Sequence, residues 1–84
     1  MSDDAHIARA ILDAVEARGA GKTICPSEVA RILSDDWRPL MRDIRRVAQS
    51  LADGGALSIT QKGQSAHALR TKGPIRLGLP STCQ

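Results

Sequence analysis

Aromatic residues are nearly missing from this chain: it has no Phe and no Tyr, and Trp37 is its one ring. The core must therefore be aliphatic, assembled from Ile, Leu, Val and Ala. A single ring also argues against single-strand binders that stack successive bases on an aromatic sheet. Cysteine is scarce as well, with Cys25 between Ile24 and Pro26 and Cys83 near the end. A disulfide would have to pin a terminal tail, so both cysteines read as free thiols, with Cys25 buried as a small hydrophobe. No apolar run approaches the ~18 residues of a membrane span. The N-terminus MSDDAHIARA carries acids where an export signal carries bases. These absences predict a cytoplasmic protein with no membrane partner.

Acidic residues are scarce in one half only. Residues 1–36 contain four basic and seven acidic side chains, whereas residues 37–84 contain eight and two, for a net charge of +3. A basic half on an otherwise acidic chain is the footprint of a polyanion partner, and the alternative is a solvated face that aids solubility. With 84 residues there is room for one domain and one core. That domain is read as 1–84, ordered from about residue 5 to 79, with a disordered tail over 80–84.

What is present is a sequence of amphipathic elements. Ile7, Ile11, Leu12 and Val15, padded by alanines, mark a first helix from Asp3 or Asp4 to Arg18 that ends at Gly19 and Gly21. Lys22 to Cys25 is a β-favouring stretch too short to stand alone, so it reads as an edge strand. Pro26-Ser27-Glu28 opens a short second helix, with either Ser27 as N-cap or Pro26 in the first helical position. That helix is expected to turn Val29, Ile32 and Leu33 inward.

The segment WRPLMRDIRRVAQSLAD, Trp37 to Asp53, carries the strongest pattern. Leu40, Ile44, Val47, Ala48 and Leu51 form one stripe at the helical period of about 3.6. Arg38, Arg42, Arg45, Arg46 and Gln49 stand opposite. Ser34-Asp35-Asp36 offers caps for this helix, Pro39 fits its first turn, and Asp53-Gly54-Gly55 stops it. Beyond the glycines the period becomes two: Leu57 and Ile59, then Ile75, Leu77 and Leu79, mark two half-buried strands. Between them Gly63 to Gly73 reads as an extended, mobile hairpin tip bearing Arg70 and Lys72, flanked by Lys62.

The predicted fold is α+β, mainly α: a winged helix-turn-helix of three helices with a small antiparallel sheet and a hairpin wing. Its partner is then double-stranded DNA. Arg38, Arg42 and Arg45 enter the major groove, Arg46 belongs to the same nucleic-acid-binding face, Gln49 reads adenine or touches phosphate, and Lys62, Arg70 and Lys72 hold phosphates. A protein-interaction adaptor on the same scaffold is the alternative, because Asp35, Asp36 and Asp43 stand close to the arginines. Structural roles compete as well: Arg46 follows Asp43 by three residues, Arg38 could bond Asp35 or Asp36, and Trp37 reads as a plug over the first helix. The oligomeric state is left open.

Catalytic chemistry has no candidates. Thr23, Ser27 and Thr60 have no base nearby, Cys25 has only Lys22 as an activator, and no glycine-rich phosphate loop is present. His6 and His67 lack neighbours at metal-ligand spacing. The sequence therefore predicts no enzyme, no cofactor and no metal.

The blocks KTICPSEVARIL, DDWRPLM, ITQKG and KGPIRL resemble the domain of unknown function 3253 family of small bacterial proteins. The resemblance covers Ile7 to Leu79, and the QSAHAL segment at 64–69 is its least typical part. It implies a winged-helix fold and a bacterial cytoplasmic setting. It implies no activity, since the family has no established function.

Overall fold

The computed structural model describes residues 4–19 and 21–80. Helix α1 spans Asp4–Arg18, strand β1 Thr23–Ile24, helix α2 Pro26–Leu33 and helix α3 Met41–Asp53, the last preceded by a 3-10 turn over Arg38–Leu40. Strands β2 (Ser58–Gln61), β3 (Gln64–Ser65) and β4 (Arg76–Gly78) follow. The chain is thus α+β: three helices and a four-stranded antiparallel sheet in the order β1-β4-β2-β3.

The register of the sheet explains the alternation in the sequence. Leu77 of β4 is paired with Ile24 on one side and Ile59 on the other, which places three buried aliphatic side chains in one row across the sheet. Ile7, Ile11 and Val15 of α1, Val29 and Ala30 of α2, and Ile44, Val47 and Ala48 of α3, with Leu57, Ala68 and Ile75, complete the core. Helices α1 and α3 thereby bury the stripes their periodicity marks. Trp37, Leu40 and Leu51 pack against this core half-buried.

The local start of α2 resolves between the two readings of its first residues. Pro26 occupies the first turn, Cys25 is the N-cap, and the Glu28 carboxylate accepts the Cys25 backbone N–H at 2.8 Å. This hydrogen bond, with Arg18 at 2.7 Å, holds the Glu28 carboxyl below its ordinary pKa. Arg76 of β4 fastens the same corner. Its guanidinium donates to Thr23 Oγ1 at 2.9 Å, to the Thr23 carbonyl at 3.1 Å and to Cys25 Sγ at 2.7 Å.

Several local expectations are corrected. Ile32 is 67% exposed rather than turned inward, because Val29 and Ala30 supply the buried face of α2. Cys25 is only half-buried and sits against Arg76, not in an apolar pocket. Residues 34–36 do not cap α3, whose N-terminus is continuous with the 3-10 turn; instead Ser34 Oγ accepts the Asp36 N–H. Of the tail expected over 80–84, residues 81–84, including Cys83, lie outside the described residues.

The largest correction concerns residues 63–73. A third strand pair was not foreseen: β2 and β3 form a tight hairpin whose two turn residues, Lys62 and Gly63, have φ of 54° and 82°. Positive φ at both central positions is the type I′ geometry, which matches the twist of paired strands and accounts for a glycine at the second position. The chain then returns over α3 as a strap, residues 66–75, rather than projecting as a mobile tip. Ala68 within the strap is fully buried.

Candidate nucleic-acid interface

Helix α3 and the 3-10 turn before it carry five of the eight residues expected to meet nucleic acid, Arg38 in the turn and Arg42, Arg45, Arg46 and Gln49 in the helix, and they have different surroundings. Gln49 lies opposite the apolar stripe, yet it is 9% exposed because the strap covers it. Its Oε1 accepts the buried Ala68 N–H at 2.8 Å, while its Nε2 donates to Asp53 at 2.8 Å. The Gln49 amide is thus a structural crosslink with both ends occupied.

Arg45, one turn earlier, performs a related task. Its two Nη atoms donate to the Thr71 carbonyl at 3.3 Å and the Gly73 carbonyl at 2.6 Å. A planar fork with two parallel donors suits this bracket better than a single ammonium would. Gln61 at the end of β2 secures the strap from the other side, donating to the Lys72 carbonyl at 2.7 Å and the Pro74 carbonyl at 3.2 Å. Gly73, at φ 89°, passes close enough to the Gln61 amide that a Cβ there would stand 3.3 Å from its nitrogen.

Arg46 points toward α1. Its guanidinium makes a bidentate pair with Asp4, both contacts at 2.8 Å, and touches Asp43 at 3.4 Å. The paired carboxylate holds the Arg46 pKa above its ordinary value, and Arg46 in turn lowers that of Asp4. The Arg46–Asp43 pair is the helical ion pair expected from their spacing. Its charge is therefore already balanced within the fold.

The remaining cations are available. Arg38 lies with its guanidinium carbon 5.1 Å from the Trp37 ring centre, and Arg31 of α2 lies over the same ring at 4.9 Å. No bond joins Arg38 to Asp35 or Asp36. Arg31 was not among the expected residues; its place three residues before the α2–α3 turn gave no periodic signal. Among the described residues Arg42, Lys62, Arg70 and Lys72 make no side-chain hydrogen bond or ion pair, and all four are exposed.

These exposed cations are neighbours because of the two brackets. Arg42 and Arg45 line a groove of about 440 Å³ together with Gly73 and Pro74 of the strap and Ser27 at the start of α2. Gln61 fixes Lys72 beside the hairpin turn that carries Lys62. Arg70 leads into the same bracketed segment, its N–H bonded to the His67 carbonyl at 3.2 Å. The basic set therefore gathers around the strap and the start of α3 rather than along the whole helix.

Among the described residues, no group of three or more His, Cys, Asp or Glu side chains is placed to hold a metal ion. No described helix is long and apolar enough to cross a membrane. No curated protein matches the sequence. The family model for a protein of unknown function, DUF3253, matches residues 4–80, and the chain belongs to that family.

Proposed function

We propose that this protein is a winged-helix module that binds double-stranded DNA mainly through its phosphates. On this reading α2 and α3 form the helix-turn-helix pair, and the β2–β3 hairpin is the wing. Arg38 and Arg42 at the start of α3 approach the groove, while Lys62, Arg70 and Lys72 lie along the flanking backbone. The observation that carries the reading is the gathering of Arg42, Lys62, Arg70 and Lys72, without internal partners, around a strap held by Arg45 and Gln61. Base readout by the C-terminal half of α3 is not part of it, since Gln49 is covered and Arg46 is paired.

Binding to random duplex measured against salt tests the proposal. Five phosphate contacts give a log–log slope of about −4 to −5, and replacing Arg42 and Lys72 by Ala lowers its magnitude by about 2. The double variant should melt like the parent chain. No binding at low salt, or a flat response, removes the proposal.

A protein-adaptor role is the second reading, favoured by one observation. Exposed Asp35 and Asp36 closely precede exposed Arg38 in the chain, so that end of the surface carries both signs of charge. A mixed-charge protein surface complements such a pattern better than a polyanion does. A partner captured from lysate that survives nuclease digestion would support this role, and one lost with the nucleic acid would remove it.

A further inference from the structure

Away from the arginines, α1 and the end of α2 enclose a groove of about 480 Å³ lined by Ala10, Ala14, Ala17, Ile32 and Leu33. Of these, Ile32 at the rim is the most exposed large aliphatic side chain among the described residues. Arg9 and Asp13 also line the groove and form an exposed ion pair at 3.5 Å.

We propose that this face pairs with a second copy of the chain about a two-fold axis, the two α1 helices crossing antiparallel. A two-fold interface uses the same patch on both copies, so the patch must complement itself. Its apolar part does. Ile32 projects, while the alanines, with only a methyl each, leave a recess beside it; each copy offers one projection and receives one.

The charges satisfy the same requirement. Arg9 and Asp13 are one helical turn apart, so an antiparallel two-fold at the level of residue 11 brings Arg9 beside the partner's Asp13, and Asp13 beside the partner's Arg9. Two exposed pairs then close into a four-charge ring, an arrangement in which neighbouring charges alternate in sign. Further along the same face Arg18 and Glu28 pair at 2.7 Å, so acids and bases balance there. Two copies meeting on this side do not repel each other, unlike two basic straps. A strongly charged partner of either sign would find no matching field.

Sedimentation of the full chain from about 1 to 200 µM tests the pairing, because a dimer of this kind responds to concentration. The expected result is a monomer–dimer equilibrium that Ile32→Asp weakens by about 100-fold or more, since two buried isoleucines are lost per dimer. Ala14→Glu, which fills the recess, should act in the same direction. Circular dichroism checks that both variants stay folded, as exposed or half-exposed positions should. Arg9→Asp alone should weaken association, and adding Asp13→Arg should restore it. A chain that stays monomeric over the whole range overturns the proposal and leaves the groove to a different occupant. A dimer that Ile32→Asp leaves intact overturns it too, as does an exchange of Arg9 and Asp13 that fails to restore what the single change removed. None of these residues belongs to the proposed DNA surface, so the two ideas stand or fall separately.

Discussion

Replacing Gln49 by Met separates a structural glutamine from a reading one. Methionine keeps the length of the side chain and most of its volume, so no large cavity opens. What disappears is the acceptor for the buried Ala68 N–H, now bonded at 2.8 Å. A buried donor left without a partner costs about 1–3 kcal/mol. The bond from Gln49 to Asp53 is lost as well, but Asp53 is exposed and recovers water. An expected loss of about 2 kcal/mol follows. At about 2.1 cal/mol/K per residue, an 84-residue chain unfolds with about 0.18 kcal/mol/K, so the midpoint falls by about 11 °C. Thermal melting followed by circular dichroism measures the shift. Hydrogen exchange at the Ala68 amide localises it, since that amide should lose protection beyond the global change. A Gln49→Met chain that melts within about 2 °C of its parent, with Ala68 still protected, would refute the argument. It would also return Gln49 to the candidate readers of a ligand.

Two further outcomes follow from the arginines of α3. Arg45→Ala removes both donors to the Thr71 and Gly73 carbonyls, so trypsin should cut after Arg70 and Lys72 faster than in the parent chain, while far-ultraviolet circular dichroism stays nearly unchanged. Equal cleavage rates would mean that the strap is held without Arg45. The Asp4–Arg46 pair predicts a pH dependence of definite sign. Because the guanidinium lowers the Asp4 pKa from its ordinary 3.8, the pair contributes stability above that value and loses it as pH falls through the depressed folded pKa. A carbon-detected NMR titration should place Asp4 below 3.8 in the parent chain, and Arg46→Met should bring it back. A titration that Arg46→Met leaves unmoved would contradict the assignment of cause.

The apolar half of this protein was legible because its signals are local. A stripe at Leu40, Ile44, Val47, Ala48 and Leu51 follows from helical geometry alone, and the alternation in 57–60 and 75–79 follows from the pleat. Where the sequence reading failed, the deciding partner lay far along the chain. Gly63 was visible as a glycine, and the Lys62-Gly63 pair between polar residues was the available sign of a hairpin. Nothing local signalled that residues 66–75 would fold back over α3. Ile32 fits an apolar helical pattern, yet the eight-residue α2 reaches the core with Val29 and Ala30 and leaves it outside.

Sequence alone determined that α3 has two opposed faces, one aliphatic and one rich in arginine, because side chains about 3.6 residues apart share a side whatever surrounds them. It also determined an aliphatic core, since Trp37 is the only ring available. Only the tertiary structure decided what the polar face does. Gln49 meets Ala68 across 19 residues and Arg46 meets Asp4 across 42, and such pairings depend on how the strap and α1 return to the helix. A charged or amide side chain is indifferent to whether its partner is a ligand or its own chain. Its helical position places it on a face, and the rest of the fold determines whether that face remains open.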